Sequence, residues 1–427
     1  MHIQTLTLTN YRGARSLSLD LHERLNVFVG VNGAGKSTVL DAATIMLSWA
    51  VSRIRHPGTS GRPISEDDIT NRQPSASMEL VCGQENQTIT WRLAKSRKGM
   101  GSPEKPSDLT QLSDYTKSIQ SQIAADDSTA NIPLFVYYPV NRAVLDIPLR
   151  IKGRQSFDLL TAYDDALTTG ANFRTFFEWF REREDLENEI KVRADEASLA
   201  ETEAPSDYPD PQLVAVRDAL SCVLPEFQNL TVRRSPLRME VEKDGQLLTV
   251  NQLSDGEKCL IAMVSDLARR MAIANPTGNL LNGEGIILID EIALHLHPRW
   301  QRMIVPRLLE VFPNCQFMIS THSPHVLTHI QPENISLPKW ADGNITAQRP
   351  SESYAKNVDR ILEDLMDLDT TRPTQVSNDL HRIYEMIDSN DLDEAKQQIA
   401  TIRQKIGDDP DLVKAEVLIR RKELIGK

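Results

Sequence analysis

The residues best suited to chemistry fall in a fixed order along the chain. Gly30-Val31-Asn32-Gly33-Ala34-Gly35-Lys36-Ser37 matches G-x-x-x-x-G-K-[ST] in full. Glycines at these positions let successive backbone N–H groups curl around phosphate oxygens, with Asn32 and Thr38 adding polar groups at the same turn. Lys36 is placed to reach the β- and γ-phosphates of a nucleotide and Ser37 to ligate Mg²⁺. Much later, Asp290 and Glu291 follow the run Ile286-Ile287-Leu288-Ile289. Adjacent carboxylates there can divide the work, Asp290 holding the Mg²⁺ shell and Glu291 polarising an attacking water. A third tract, Ser320-Thr321-His322, supplies a histidine able to contact a γ-phosphate. ATP with Mg²⁺ is the ligand these residues predict, and Lys36, Glu291 and His322 are the candidates for its chemistry.

Three elements must hold these groups at one edge. Leu25 to Val29 reads as a buried strand, and Thr38 to Ser52 carries apolar residues at helical spacing, so the glycine turn sits between strand and helix. The aliphatic run before Asp290 reads as a central parallel strand, whose C-terminal end is where an open α/β sheet places ligands. Cys315 to Ile319 reads as another strand delivering His322 to the same edge.

A fourth tract, Leu253-Ser254-Asp255-Gly256-Glu257, lies between these parts. Taken alone it is a good helix start, with Ser254 or Asp255 as N-cap and Glu257 as the reciprocating acid of a capping box.

The order of phosphate loop, LSDGE, IILIDE and STH resembles the ABC-type ATPase heads of the RecF, structural-maintenance-of-chromosomes and OLD families. The opening Leu8-Thr9-Asn10-Tyr11-Arg12-Gly13 is similar to their first strand and turn, which makes Arg12 a candidate nucleotide contact. The resemblance implies an α/β fold: an ABC-type P-loop head, with a mixed sheet flanked by helices. It also implies a head-to-tail dimer in which Ser254 and Gly256 of one molecule contact the γ-phosphate held by the other's loop. Transporters carry LSGGQ, so Asp255 and Glu257 turn the reading toward the DNA-associated branch. No glutamine stands where that family's glutamine loop belongs, near Tyr138 to Arg142, and Asn141 is the candidate substitute. The tracts Asp290 to Gln301 and Tyr137-Tyr138-Pro139-Val140-Asn141-Arg142 further resemble the ATPase subunits of Septu anti-phage defence systems. That resemblance implies an HNH endonuclease subunit as partner, positioned or regulated on DNA. A RecF-like repair or chromosome-associated ATPase without a dedicated nuclease is the alternative, and a transporter subunit a third reading that LSDGE disfavours.

Composition narrows the class without selecting the function. The chain has 427 residues and a formal charge of −12, enough length for a head plus insertions and an acidic balance that still permits local basic patches. Four scattered cysteines form no disulfide framework and suit a reducing cytoplasm. No apolar run approaches a bilayer span, and the chain opens into a strand without a signal h-region. The expected organisation is an N-lobe over residues 1–148, a mostly helical insertion over 149–228, a C-lobe over 229–348 and a helical partner-binding module over 349–427. Within it, residues 109–125 predict a helix, and Phe173, Phe176, Phe177, Trp179 and Phe180 predict a packing face. Glu201 to Pro211 reads as a mobile linker.

Basic residues cluster at Arg92, Lys95, Arg97 and Lys98, at Arg150, Lys152 and Arg154, and at Arg233, Arg234 and Arg238. Each cluster reads first as a solvated face; on one face of a dimer the three would form a groove for a phosphate backbone. His325 and His329 read as capping or exposed residues rather than ligands. Asp367-Leu368-Asp369 reads as a helix end rather than a nuclease metal motif. Amphipathic stretches at Val358–Leu365, Leu380–Ile387, Leu392–Ile406 and Leu412–Leu424 carry apolar faces expected to pack on the head or on another chain.

Overall fold

The computed structural model describes residues 1–84, 87–101, 103–140, 157–168, 173–199, 208–341 and 343–425. Asn141, the 150–154 basic cluster and most of the expected linker lie outside these residues. The contact pattern divides the chain into two units, Met1–Lys356 and Asn357–Lys427. The first unit runs past its last strand because Ser353 Oγ donates to the Ile330 carbonyl and Ala355 N–H to the Thr328 carbonyl.

In the first unit, β1 (His2–Tyr11) and β2 (Ala14–Asp20) alternate buried and open positions, as a sheet with one covered face requires. β3 (Leu25–Val29) is buried throughout and feeds the glycine turn and α1 (Lys36–Arg55). β4 (Ser75–Gln84) and β5 (Gln87–Ser96) complete an antiparallel sheet of order β2-β1-β4-β5. The helix expected at 109–125 is α2 (Thr110–Ala125), followed by β6 (Leu134–Tyr138). α3 (Phe173–Leu199) and α4 (Pro211–Val223) form the helical insertion. Phe173, Phe176, Phe177, Trp179 and Phe180 are all buried, so the aromatic set is a core face.

A small antiparallel sheet follows: β7 (Phe227–Arg234), β8 (Leu237–Lys243) and β9 (Gln246–Thr249). It leads into α5 (Asp255–Ala274), 17 of whose 20 residues are buried, the signature of a helix packed on all sides. Buried charge on α5 is paired: Asp266 accepts from Arg269 and Arg270, each at 2.8 Å, and from the Tyr138 hydroxyl at 3.1 Å.

β10 (Gly285–Ile289), α6 (Pro298–Val311), β11 (Cys315–Thr321), the short α7 (Pro324–Leu327), β12 (Ile335–Ala341) and β13 (Asn344–Gln348) close the unit. The main sheet has the order β13-β12-β3-β11-β10-β6, parallel except for antiparallel β13. β3, β10 and β11 lie at its centre and are buried at every residue, which explains the aliphatic run of β10, while the polar Asn26, Gln316 and Ser320 of the other two are hydrogen-bonded inside. Their C-terminal ends carry the glycine turn, Asp290 and His322. The fold is thus a mixed-sheet P-loop ATPase head of ABC type. No helix among the described residues is long and apolar enough to cross a membrane.

The second unit comprises α8 (Val358–Asp364), α9 (Thr374–Asp388), α10 (Leu392–Ile406) and α11 (Pro410–Ile425). Here the expectation of faces left for the head or another chain needs correction. Leu380, Ile383 and Ile387 of α9, Ala395, Ile399 and Ile402 of α10, and Leu412, Ala415 and Ile419 of α11 form one buried cluster. Three stripes at helical spacing satisfy one another, so the unit has its own core. A separate face of α11 stays open, with Val413, Val417 and Leu424 exposed. Asp367 follows the end of α8 in a left-handed conformation, φ 56°, as a helix end predicts.

Candidate nucleotide site

The glycine turn folds as its chemistry demands. Gly33 and Gly35 sit at φ 81° and 107°, backbone that only glycine adopts freely. Gly35 is the N-cap of α1, and a Cβ there would come within 2.7 Å of Ile345 Cδ1. Behind the turn, Lys36 is buried, donating to the Gly30 carbonyl at 2.9 Å and the Val31 carbonyl at 3.3 Å. Its third neighbour is His322 Nε2 at 2.8 Å. Burial pushes the Lys36 ammonium below its usual range, with Glu291 and Asp290 opposing that shift.

Ser37 Oγ donates to Asp290 Oδ2 at 3.0 Å. These two hard oxygens, facing one another beside the phosphate turn, suit Mg²⁺. Ser320 fixes the arrangement from the neighbouring strand: its hydroxyl donates to Asp290 Oδ1 and accepts from the Glu291 N–H at 2.8 Å. Glu291 itself has φ 51°, a conformation unusual for a residue with a side chain and found where a turn must aim a group.

Glu291 Oε1 lies 3.0 Å from His322 Nε2. One ring nitrogen therefore faces both an ammonium, which can only donate, and a carboxylate, which can only accept. It cannot serve both with a single proton. Burial, reinforced by Lys36 and opposed by Glu291, holds the His322 pKa below its ordinary value. The neutral ring then accepts from Lys36, and the proton on Nε2 needed to satisfy Glu291 becomes available only when Lys36 moves to another partner.

These groups surround a cavity of about 740 Å³ whose lining includes Asn32, Gly33, Gly35, Lys36, Ser37, Thr38, Glu291 and His322. Gln301 of α6 also lines it, held by Ser323 Oγ at 2.6 Å and by its own donation to the Leu296 carbonyl at 2.8 Å. A glutamine thus reaches the cavity from a helix after Asp290-Glu291, far in sequence from the Tyr138–Arg142 tract in which Asn141 is the expected substitute; Val140 of that tract also lines the cavity. Nothing in the local pattern around Gln301 signals this.

Arg12 takes a different position from the one expected. Its guanidinium pairs with Asp41 Oδ2 at 2.5 Å and Asp68 Oδ1 at 2.9 Å and lies over the Tyr11 ring. Among the described residues it does not line the cavity. Arg62 also pairs with Asp41, so the cluster braces α1 rather than reaching the phosphate turn.

Ser254 and Gly256 do not line the cavity either. Ser254 is the N-cap of α5 and forms the capping box with Glu257: its N–H and Oγ donate to Glu257 Oε2 at 2.7 and 2.8 Å. Lys243 Nζ donates to Glu257 Oε1 at 2.5 Å. Gly256 is pressed against the loop after Glu291, since a Cβ there would lie 2.2 Å from the His295 carbonyl oxygen.

All three arginines of the 233–238 cluster, and Arg92 of the first cluster, are paired with acids of the same chain. Arg92 pairs with Glu79, Arg233 and Arg238 both with Glu240, and Arg234 with Glu184 and Asp185. A groove built from these arginines would carry little net positive charge, because carboxylates beside them neutralise them.

Comparison with known proteins agrees with this geometry. Residues 25–328 match the family model described as "AAA domain, putative AbiEii toxin, Type IV TA system". The chain is 31% identical to the "Retron Ec83 probable ATPase" of Escherichia coli over 99% of its own length and 87% of that protein. It is 24% identical to the "Septu protein PtuA" of Bacillus thuringiensis, covering 87% of this chain and 85% of that one, in line with the resemblance read from the sequence. A solved SMC head, bound to the C-winged helix domain of ScpA, aligns with TM-score 0.48 at 15% identity over 82% of this chain and 98% of that chain. The protein is an ATPase, and it belongs to the AAA-domain family whose model it matches.

Proposed function

We propose that the chain is the ATPase subunit of an anti-phage defence complex that closes head-to-tail around ATP and so controls a partner HNH endonuclease. The observation that carries this reading is the position of the signature tract. Ser254 is exposed, capped and presented at a helix N-terminus, yet takes no part in lining the cavity of its own chain. A helix N-terminus is an anion site, and a second protomer's γ-phosphate is the anion that would meet it. Within each site, Lys36 leaves the Gly30 and Val31 carbonyls to hold the β- and γ-phosphates. His322 then turns its proton toward the transferred phosphate or Glu291, and Glu291 orients the attacking water. Ser37 and Asp290 would hold Mg²⁺, whose charge would neutralise the phosphates. The relatives named for retron and Septu systems support the defence role.

The second unit is the candidate seat of the nuclease. With its core already closed, the exposed Val413, Val417 and Leu424 form an apolar stripe on α11, flanked by exposed Lys414, Arg420 and Arg421. Such a face fits an acidic amphipathic segment of another chain.

Mixing separately inactivated chains tests the dimer. Lys36→Ala and Ser254→Arg each abolish turnover alone. A head-to-tail pair of one of each retains one intact site, so an equimolar mixture recovers about a quarter of wild-type activity by two-fold symmetry. No recovery, with both variants folded and wild type active, rules out the composite site. Co-purification with the nuclease, lost in Val417→Asp, tests the docking face.

A further inference from the structure

Within that head-to-tail reading, on which this inference rests, we propose that Lys243 is a positioning residue that keeps the signature turn electrostatically compatible with a second chain's nucleotide. Glu257 is buried, and its carboxylate is shared among the Ser254 N–H, the Ser254 hydroxyl and Lys243. The hydroxyl lies 2.8 Å from Glu257 Oε2. Any phosphate oxygen that Ser254 touches therefore sits no more than about 5.5 Å from a buried anion. Like charges that close, in a site drained of water, oppose closure strongly. Lys243, on β8, places a cation on the far oxygen of the same carboxylate, its ammonium also resting over the Phe227 ring at 5.7 Å.

The cation does a second thing. As the turn stands, the Ser254 proton is given to Glu257. To donate to a phosphate the hydroxyl must rotate, leaving the carboxylate with two donors, the Ser254 N–H and Lys243. Without Lys243 the carboxylate would retain the hydroxyl as one of its two remaining donors, and Ser254 would present lone pairs to an incoming anion. The shifts of the two groups agree in direction. Burial pushes the Glu257 carboxyl up, but Lys243 and the Ser254 donors hold it below its usual value, while the bond to Glu257 holds Lys243 above its own.

The geometry predicts opposite signs for the two single substitutions. Glutamine at position 257 preserves the capping box while removing the anion, so Glu257→Gln pairs at lower ATP than wild type. Lys243→Met leaves the anion uncompensated and requires about tenfold more ATP. The double variant Lys243→Met/Glu257→Gln returns close to wild type, and Lys243→Arg, which keeps the charge, changes little. The measurement is the ATP concentration giving half-maximal dimer by analytical ultracentrifugation, in the full chain carrying Glu291→Gln to slow turnover. Thermal melts check that each variant folds. If both single variants impair pairing and the double is worse, Lys243 is merely structural and the inference falls. If pairing occurs but no variant shifts its ATP requirement, the inference falls while the head-to-tail dimer stands. If the Glu291→Gln chain never pairs with ATP, the dimer reading fails and takes this one with it.

Discussion

The edge of the main sheet and the start of α5 both concentrate polar groups, but they satisfy them in different ways. At the sheet edge, Lys36, Ser37, Glu291 and His322 converge on a shared cavity, and His322 Nε2 is claimed by two groups that it cannot satisfy together. At the start of α5, Ser254, Glu257 and Lys243 close a loop of hydrogen bonds among themselves. The first arrangement is frustrated without an incoming group. The second is complete as a helix cap and acquires a further use only against another molecule. A cluster left in conflict over one proton and a cluster closed by its own hydrogen bonds thus stand side by side in one chain.

Glu291→Gln probes the sheet edge most severely. Loss of a general base lowers turnover by about 10²–10⁴-fold, with ATP binding retained and the melting temperature nearly unchanged. Steady-state phosphate release checks this, and undiminished turnover would remove Glu291 from the chemistry. Ser254→Ala probes the other region and should look like a lost cap, costing about 1 kcal/mol of stability. At concentrations where the chain is monomeric it should leave nucleotide affinity as it was. Weaker ATP binding by the monomer would break the distinction between the two regions. The smallest effect is the pH response of His322. Its folded pKa lies below the ordinary 6.5, so the unfolded chain binds the proton first as pH falls. Its contribution leaves stability unaffected above that value and lowers it as pH drops below 6.5. His322→Gln should flatten that part of the profile of melting temperature against pH.

What the sequence disclosed follows the same division. The phosphate turn, the buried strand ahead of Asp290 and the Ser254–Glu257 cap each lie within a few residues, so local spacing carries the whole signal. The centre of the main sheet was legible because β10 is an aliphatic run after Gly285 and β3 and β11 are largely apolar, broken only by residues such as Asn26 and Gln316. Ser320, Gln301, Lys243 and the His295 carbonyl were not assigned these roles, because each acts on a residue brought to it by tertiary structure. The pairing of the arginines was hidden for the same reason: Arg234 is neutralised by Glu184, 50 residues away. Helical spacing marked the apolar stripes of α9, α10 and α11 correctly, but periodicity cannot say that their partners are one another.

The close seat of Gly256 on the His295 carbonyl has a mechanical consequence. Glu291 and His295 belong to one short turn, each with a positive φ, and the start of α5 rests directly on its far end. No side chain cushions the contact, so a displacement of that turn is passed to α5 with little slack. In a two-fold pair, the event at one protomer's cleavage centre would thereby tilt the surface offered to the other's nucleotide. In the head-to-tail pair proposed above, such a yoke would couple the two centres rather than leave them two independent engines.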